Sequence, residues 1–242
     1  MRHRIIEWWN SIFSYPQEKI AAVPLSHDSY WEHRGTHASS GLSLPSAWQK
    51  QRADFVLKTI GNQKSEGLVI ADIGSGNGAT LRYLKQSIPL LKGVGVDGSK
   101  VMLEEVQRSG FTAVEADVAD ASFIVPPSDY ALLFEIVEHV PLSEALIENA
   151  LKSARRGVFV SFPNSGFFTY RLRLLFGRFP VQWLFHPSEH VRFWTLMDMR
   201  WWLRACGWEN ATVRGYEGVP LLNTFLPSLF AAGIIVYIPK SS

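Results

Sequence analysis

The sequence predicts an α/β fold built on a doubly wound, mostly parallel sheet. Short apolar runs recur along the chain, separated by stretches long enough to form helices. Three of these runs end in an acid: Asp72, Asp97 and Asp117. The first is followed by glycines at alternate positions, Gly74, Gly76 and Gly78, before helix-forming residues begin at Ala79. Strands alternating with helices imply β-α units with helices on both faces of the sheet. Acids in register at strand ends direct a ligand to the crevice at the carboxyl edge of that sheet.

The elements follow in order. Leu68 to Ile70 reads as a buried first strand, and Ala79 to Gln86 as the helix after it. Between them, glycine lets the backbone turn sharply and lets a ligand approach closely, and the helix start offers unpaired N–H groups. Gly93 to Asp97 is the second strand; Gly98 follows, and Ser99 caps the next helix. The third strand runs from Thr112 to Asp117, with Val118 just beyond. Tyr130 to Val137 is the fourth and contains Glu135; it leads into Glu138-His139-Val140-Pro141 and a helix through Ala154. Arg156 to Pro163 is the fifth. No residue from Val219 to Pro239 is charged, a run about as long as the ~20 residues of a membrane span. Pro220, Pro227 and Pro239 interrupt it, so the expected reading is a sixth strand at Val213–Glu217, a loop, and a seventh strand at Gly233–Ile238.

Two cofactor classes use such a crevice. Gly74-x-Gly76-x-x-Ala79, with Asp97 further on, satisfies a dinucleotide fingerprint, which keeps a nicotinamide-dependent oxidoreductase as an alternative. Asp72 argues against it, because a carboxylate two residues before the first glycine repels a pyrophosphate. S-adenosylmethionine carries an ammonium and a sulfonium, which an acidic strand end accepts. Asp97 can accept hydrogen bonds from ribose hydroxyls, and Asp117 from an adenine amino group.

Asp72-Ile-Gly-Ser-Gly-Asn-Gly78, Asp97, Asp117 and Glu138-His139-Val140 together resemble motifs I, post-I, II and IV of class I S-adenosylmethionine-dependent methyltransferases. The resemblance covers roughly residues 45 to 240. Val160-Ser-Phe-Pro-Asn-Ser-Gly166, Arg171, Gly177-Arg-Phe-Pro180, His190-Val-Arg-Phe193 and Leu226-Pro-Ser-Leu-Phe-Ala231 resemble the MetW-like branch. The resemblance implies a Rossmann-like seven-stranded sheet whose last strand is antiparallel and lies between strands five and six. It also implies S-adenosylmethionine bound by Asp72, Gly74, Ser75, Gly76, Asp97, Gly98, Asp117, Val118 and Glu135, and methyl transfer to an oxygen or nitrogen of a small molecule. MetW-like proteins are associated with a homoserine acyltransferase. The resemblance therefore implies, as alternatives, an acyltransferase partner and a non-catalytic regulatory subunit.

Much of the reactivity of a sulfonium lies in the cofactor, and no complete catalytic constellation is visible. His139 is the candidate catalytic residue, as base or substrate-orienting group; a helix-entry histidine bonded to backbone is the alternative. Glu135 either meets the cofactor's amino end or satisfies local backbone donors. Asn164, His190 and Arg192 are the candidate substrate-binding residues, in or beside an insertion spanning about 164–194. Arg171, Arg173 and Arg178 interleave there with leucines, giving a basic helix able to meet a phosphate or carboxylate. His186-Pro-Ser-Glu-His190 matches a metalloprotease pattern by letter, but Pro187 suits a shared helix poorly and no metal is expected. Trp201, Trp202 and Trp208 are expected to pack into the sheet.

Residues 1–45 are expected to form a helical extension or cap and 46–242 the methyltransferase domain. Ile5, Trp8, Trp9, Ile12 and Phe13 share one helical face, fit for covering the cleft, a homodimer contact or a lipid surface. Tyr30-Trp31-x-x-Arg34 resembles a segment that closes over the cofactor in related enzymes. The 242-residue chain has a net charge of +2 and one cysteine, Cys206. That balance steers no nucleic acid toward it, and lone Cys206 excludes an internal disulfide, which fits a reducing, cytoplasmic setting.

Overall fold

The computed structural model describes residues 26–33, 44–65, 67–182 and 186–240; the Ile5–Phe13 stretch and Arg34 lie outside them. Seven strands form one sheet: β1 (Val69–Ile73), β2 (Lys92–Asp97), β3 (Thr112–Glu115), β4 (Ser128–Phe134), β5 (Ala154–Pro163), β6 (Thr212–Tyr216) and β7 (Gly233–Pro239). Their order is β3-β2-β1-β4-β5-β7-β6. The strands from β3 to β5 pair in parallel, and β7 is antiparallel to both β5 and β6. The expected topology is the one observed, including β7 between β5 and β6. The strands of the central pairings are buried on both faces, which is why they read as continuous apolar runs.

Alternate side chains of each strand enter two cores. Ala71, Ile73, Ala131, Leu133, Val158, Val160 and Phe162 face one side, where α5 (Ser143–Ser153) contributes Leu146, Ile147 and Ala150 and α7 (Met199–Ala205) contributes Trp202 and Leu203. Ile70, Tyr130, Leu132, Phe134 and Phe159 face the other. There α2 (Ala47–Ile60), α3 (Ala79–Ser87) and α4 (Lys100–Arg108) cover the sheet with Val56, Ile60, Leu81, Leu84 and Val106. Each fully buried aliphatic side chain contributes about 1.5–3 kcal/mol of transfer free energy. Ser46 caps α2 in a reciprocal box with Gln49, and Ser99 caps α4 by accepting from Met102 N.

Several boundaries move. β3 stops at Glu115, so Asp117 sits in the following turn, where it accepts from Ala119 N at 2.9 Å. β4 ends at Phe134 because Glu135 adopts φ +54°, a left-handed kink that a regular strand does not tolerate. The uncharged stretch folds as α8 (Leu222–Phe225), α9 (Pro227–Phe230) and β7. Among the described residues no helix is long and apolar enough to cross a membrane. Of the three tryptophans expected in the core, Trp202 and Trp208 pack there, whereas Trp201 is 73% exposed. The correction has a simple cause: Trp201 and Trp202 are adjacent on α7, and a helix turns successive residues about 100° apart.

Candidate active site

The glycine loop between β1 and α3 is shaped by three left-handed residues, Gly74, Gly76 and Gly78, with φ of +73°, +50° and +73°. A Cβ at Gly74 would stand 2.9 Å from Ile136 Cδ1, so both conformation and space demand glycine there. Gly74 N and Ser75 N donate to Val96 O at 2.8 and 2.9 Å, tying the loop to the end of β2. Asp97 completes the tie: its carboxylate accepts from Gly76 N at 2.8 Å and Ser99 N at 2.9 Å. Burial raises the Asp97 pKa, against the pull of those backbone donors.

Asp72, at the tip of β1, is 2% exposed. Burial pushes its carboxyl up to about 7; Arg52 works against that rise and Asp97 adds to it. A buried acid beside the glycine turn is a fitting partner for a cationic ligand.

A short helix upstream of α2 lies on this loop. Helix α1 (His27–His33) packs against α4, and Ser99 Oγ donates to Asp28 at 2.6 Å. The Trp31 ring lies 3.4 Å from where a Gly76 Cβ would be, and the His27 ring 2.6 Å from that of Gly98. Trp31, singled out in the sequence as part of a closing segment, is thus brought onto the glycine loop. Val118 is half-buried beyond β3, beside exposed Asp117.

Across β4 the site is organised by a residue that sequence reasoning missed. Arg52, on the buried stripe of α2 with Val56 and Ile60, is 7% exposed. Its Nη1 meets Glu135 Oε1 at 3.1 Å and Tyr216 Oη at 3.4 Å. Glu135 Oε1 also accepts from Ser161 Oγ and from Tyr216 Oη, each at 2.9 Å. Burial opposes the charge on Arg52, but Tyr216, Glu135 and Glu138 outweigh it and raise its pKa. The available signal was positional: an arginine four and eight residues before Val56 and Ile60 on an otherwise apolar face.

Beyond the kink, a 3-10 turn at Val137–His139 places Glu138 and His139 against His190. Val191 N and Arg192 N both donate to Glu138 O, at 2.9 and 3.2 Å. His139 Nδ1 lies 2.5 Å from Glu189 O, which fixes that nitrogen as the donor and leaves Nε2 with its lone pair. The His139 and His190 rings meet edge-on at 4.7 Å. Burial lowers the His139 pKa, and burial with His139 alongside takes His190 down to about 3. Burial lifts Glu138 well above the usual carboxylate range, and Glu135 adds to the rise.

The remaining candidates are tied into the fold by their own side chains. Asn164 is fully buried: its amide donates to Ala231 O at 2.8 Å, and its oxygen accepts from Gly166 N and Leu196 N. It fastens the start of the insertion to the loop before β7. Arg192 forms a fork to both Glu144 oxygens, at 2.9 and 2.5 Å, and donates to Pro141 O. In α6 (Phe168–Leu175), Arg171 donates to Gly166 O and Ser228 O, and Arg173 to Phe179 O. The basic face, read as able to meet a phosphate or carboxylate, is at these two positions bonded to backbone carbonyls. The H-x-x-E-H letters do not converge on one point: His186 Nδ1 engages Ser188, Glu189 Oε1 accepts from His186 N, and His190 turns to His139.

A seven-stranded sheet with reversed β7, a glycine loop at the end of β1 and acids at the tips of β1 and β2 define a class I methyltransferase, the class that takes its methyl group from S-adenosylmethionine. Residues 30–213 match the family described as a methyltransferase domain, and the chain belongs to that family. No curated protein sequence matches. Among solved structures, the chain is similar to a methyltransferase of this class from Archaeoglobus fulgidus: 14% identity over 88% of this chain and 100% of that one, TM-score 0.58. It is also similar to magnesium protoporphyrin IX methyltransferase from Synechocystis with bound S-adenosylhomocysteine (19%, 89% and 96%, 0.57). A Thermotoga maritima methyltransferase compares likewise (16%, 88% and 94%, 0.56). At such identities these likenesses carry the fold alone.

Proposed function

We propose that this enzyme transfers a methyl group to an oxygen or nitrogen of a small molecule, in the crevice between the glycine loop and the His139–His190 wall. The observation that carries the reading is His139: Nδ1 is committed to Glu189 O, burial disfavours the imidazolium, and the free Nε2 is therefore suited to meet an acceptor's proton. S-adenosylmethionine, when bound, supplies an electrophilic methyl on a sulfonium. Asp72 and the Gly74–Gly76 turn would hold its amino acid end, and Asp97, with Gly98, Asp117 and Val118, its adenosine. Arg52, Ser161 and Tyr216 hold Glu135 in place. Helix α1 acts as a cap, since Trp31 and His27 lie on Gly76 and Gly98. Adenosine entry would therefore require α1 to shift, and its return would exclude water.

The insertion exposes Leu175, Phe176, Phe179 and Phe193, with Phe179 and Phe193 in edge contact at 6.0 Å, which supports an acceptor with an apolar body. The test is transfer of a labelled methyl from S-adenosylmethionine to a panel of apolar phenols, amines and carboxylic acids. His139→Ala is expected to lower kcat by about 100-fold with cofactor affinity unchanged; an unaltered kcat would remove His139 from the chemistry.

Asp72 gives a pH prediction. Its folded pKa of about 7 lies above the ordinary carboxylate value of about 3.9, so folding binds its proton more tightly. Its contribution to the stability of the free protein is present below the unfolded value and lost as pH rises through about 7. Cofactor binding runs the other way, because an ammonium selects the ionised acid. Calorimetric affinity for S-adenosylhomocysteine is expected to rise between pH 5.5 and 7.5, being about tenfold weaker at pH 6 than at the plateau. A flat profile would take Asp72 away from the cofactor's amino group.

A further inference from the structure

Glu138, His139 and His190 form a cluster with no structural explanation of its own. One ligand-capable atom from each lies within 4.8 Å of those of the other two. Glu138 is 1% exposed, and its Oε2 and the Nδ1 of His190 are buried with no hydrogen-bond partner. Leaving a buried polar atom unmatched costs about 1–3 kcal/mol, more for a charge, and here two occur side by side. Arg52, the guanidinium whose charge reaches Glu138, is hydrogen-bonded to Tyr216 and paired with Glu135 instead.

The surroundings are those of a preorganised ligand set. The 3-10 turn and the His190 strip are stapled by Val191 N and Arg192 N to Glu138 O, by the Arg192 fork to Glu144 and by Arg192 to Pro141 O. His139 is oriented through its distal ring nitrogen by a backbone carbonyl, the arrangement that almost always supports a metal-ligating histidine. A first-row divalent ion with bonds of about 2.1 Å spaces tetrahedral ligand atoms about 3.4 Å apart, within reach of small side-chain rotations from the separations present.

We propose that Glu138, His139 and His190 bind one divalent transition-metal ion, leaving open coordination positions toward the crevice. Two imidazoles and one carboxylate select zinc, manganese, iron or cobalt over magnesium or calcium. An ion here would fix an acceptor oxygen and favour its ionisation, with the proton released to water; His139 Nε2 is then a ligand, and its role as base belongs to the ion-free chain. The ion's role rests on the acceptor reading above; the binding does not.

The experiment is calorimetric titration of the chelator-treated full chain with Zn²⁺ and Mn²⁺, with the visible spectrum of the Co²⁺ form recorded in parallel, without methyl donor or acceptor. One ion per chain is expected, with micromolar or tighter Zn²⁺ affinity and a Co²⁺ band that reports nitrogen ligation. His139→Ala and His190→Ala should each weaken binding at least tenfold, and His186→Ala should leave it unchanged. Absence of binding to the folded wild-type chain overturns the proposal. Loss of binding in His186→Ala with retention in His139→Ala overturns it too, in favour of the H-x-x-E-H letters. Because the readout needs no turnover, failure of the ion site and failure of the acceptor reading are told apart.

Discussion

Asp97→Ala is expected to weaken S-adenosylmethionine binding by well over tenfold while the chain stays folded. The sequence placed Asp97 at a strand tip where a ribose would meet it. The structure adds a second duty: the same carboxylate receives the N–H groups of Gly76 and Ser99. Deleting it therefore removes two hydroxyl acceptors and also frees the glycine turn to wander, so the cofactor must reorder the loop as it binds. Tenfold corresponds to about 1.4 kcal/mol, less than the net value of one charge-assisted hydrogen bond at its upper range of about 3 kcal/mol. The variant should remain folded because the loop is also held by Gly74 N and Ser75 N on Val96 O, and neither contact involves Asp97. Calorimetry with S-adenosylhomocysteine and circular dichroism together make the check. Unchanged affinity in a folded variant would mean that Asp97 serves the loop alone.

What could be read from the sequence and what could not divides along a physical line. Strand positions from β1 to β7 followed from local pattern, because most are apolar runs between turn signals, whereas the stretch between β6 and β7, read as a loop, forms α8 and α9. The glycine loop was legible for the same reason: Gly74, Gly76 and Gly78 meet a requirement of their own backbone. The contacts that build the other wall are not local. Arg52, Ser161 and Tyr216 converge on Glu135 from α2, β5 and β6, and nothing in any of those segments announces the meeting. Asn164 was expected to face the crevice from its place after β5, and Arg192 from the family resemblance. Their side chains bond within the protein, contacts that only the fold reveals. The histidines show the same limit. The sequence pattern pairs His186 with His190 by spacing, while the fold pairs His139 with His190 across half a hundred residues.

Arg52→Met is expected to be the most damaging single change away from the core, with a loss of roughly 3 kcal/mol in unfolding free energy. Methionine keeps most of the stem that packs with α2 but removes the charge that faces Asp72, Glu135 and Glu138. A buried pair stripped of one partner leaves an uncompensated ion, and that penalty exceeds what the intact pair contributes. Proton uptake is the chain's way of softening the loss, so Asp72 should titrate above its present value of about 7. The rise of cofactor affinity with pH should then move to higher pH by a similar interval. Arg52→Lys restores the charge without the planar fork and should recover part of the stability and part of the pH shift. Denaturant melts and the calorimetric pH profile measure the two effects separately. Should both variants lose stability equally while the profile stays where it is in the wild type, Arg52 would be a packing residue and not the counter-charge of the cofactor's acid.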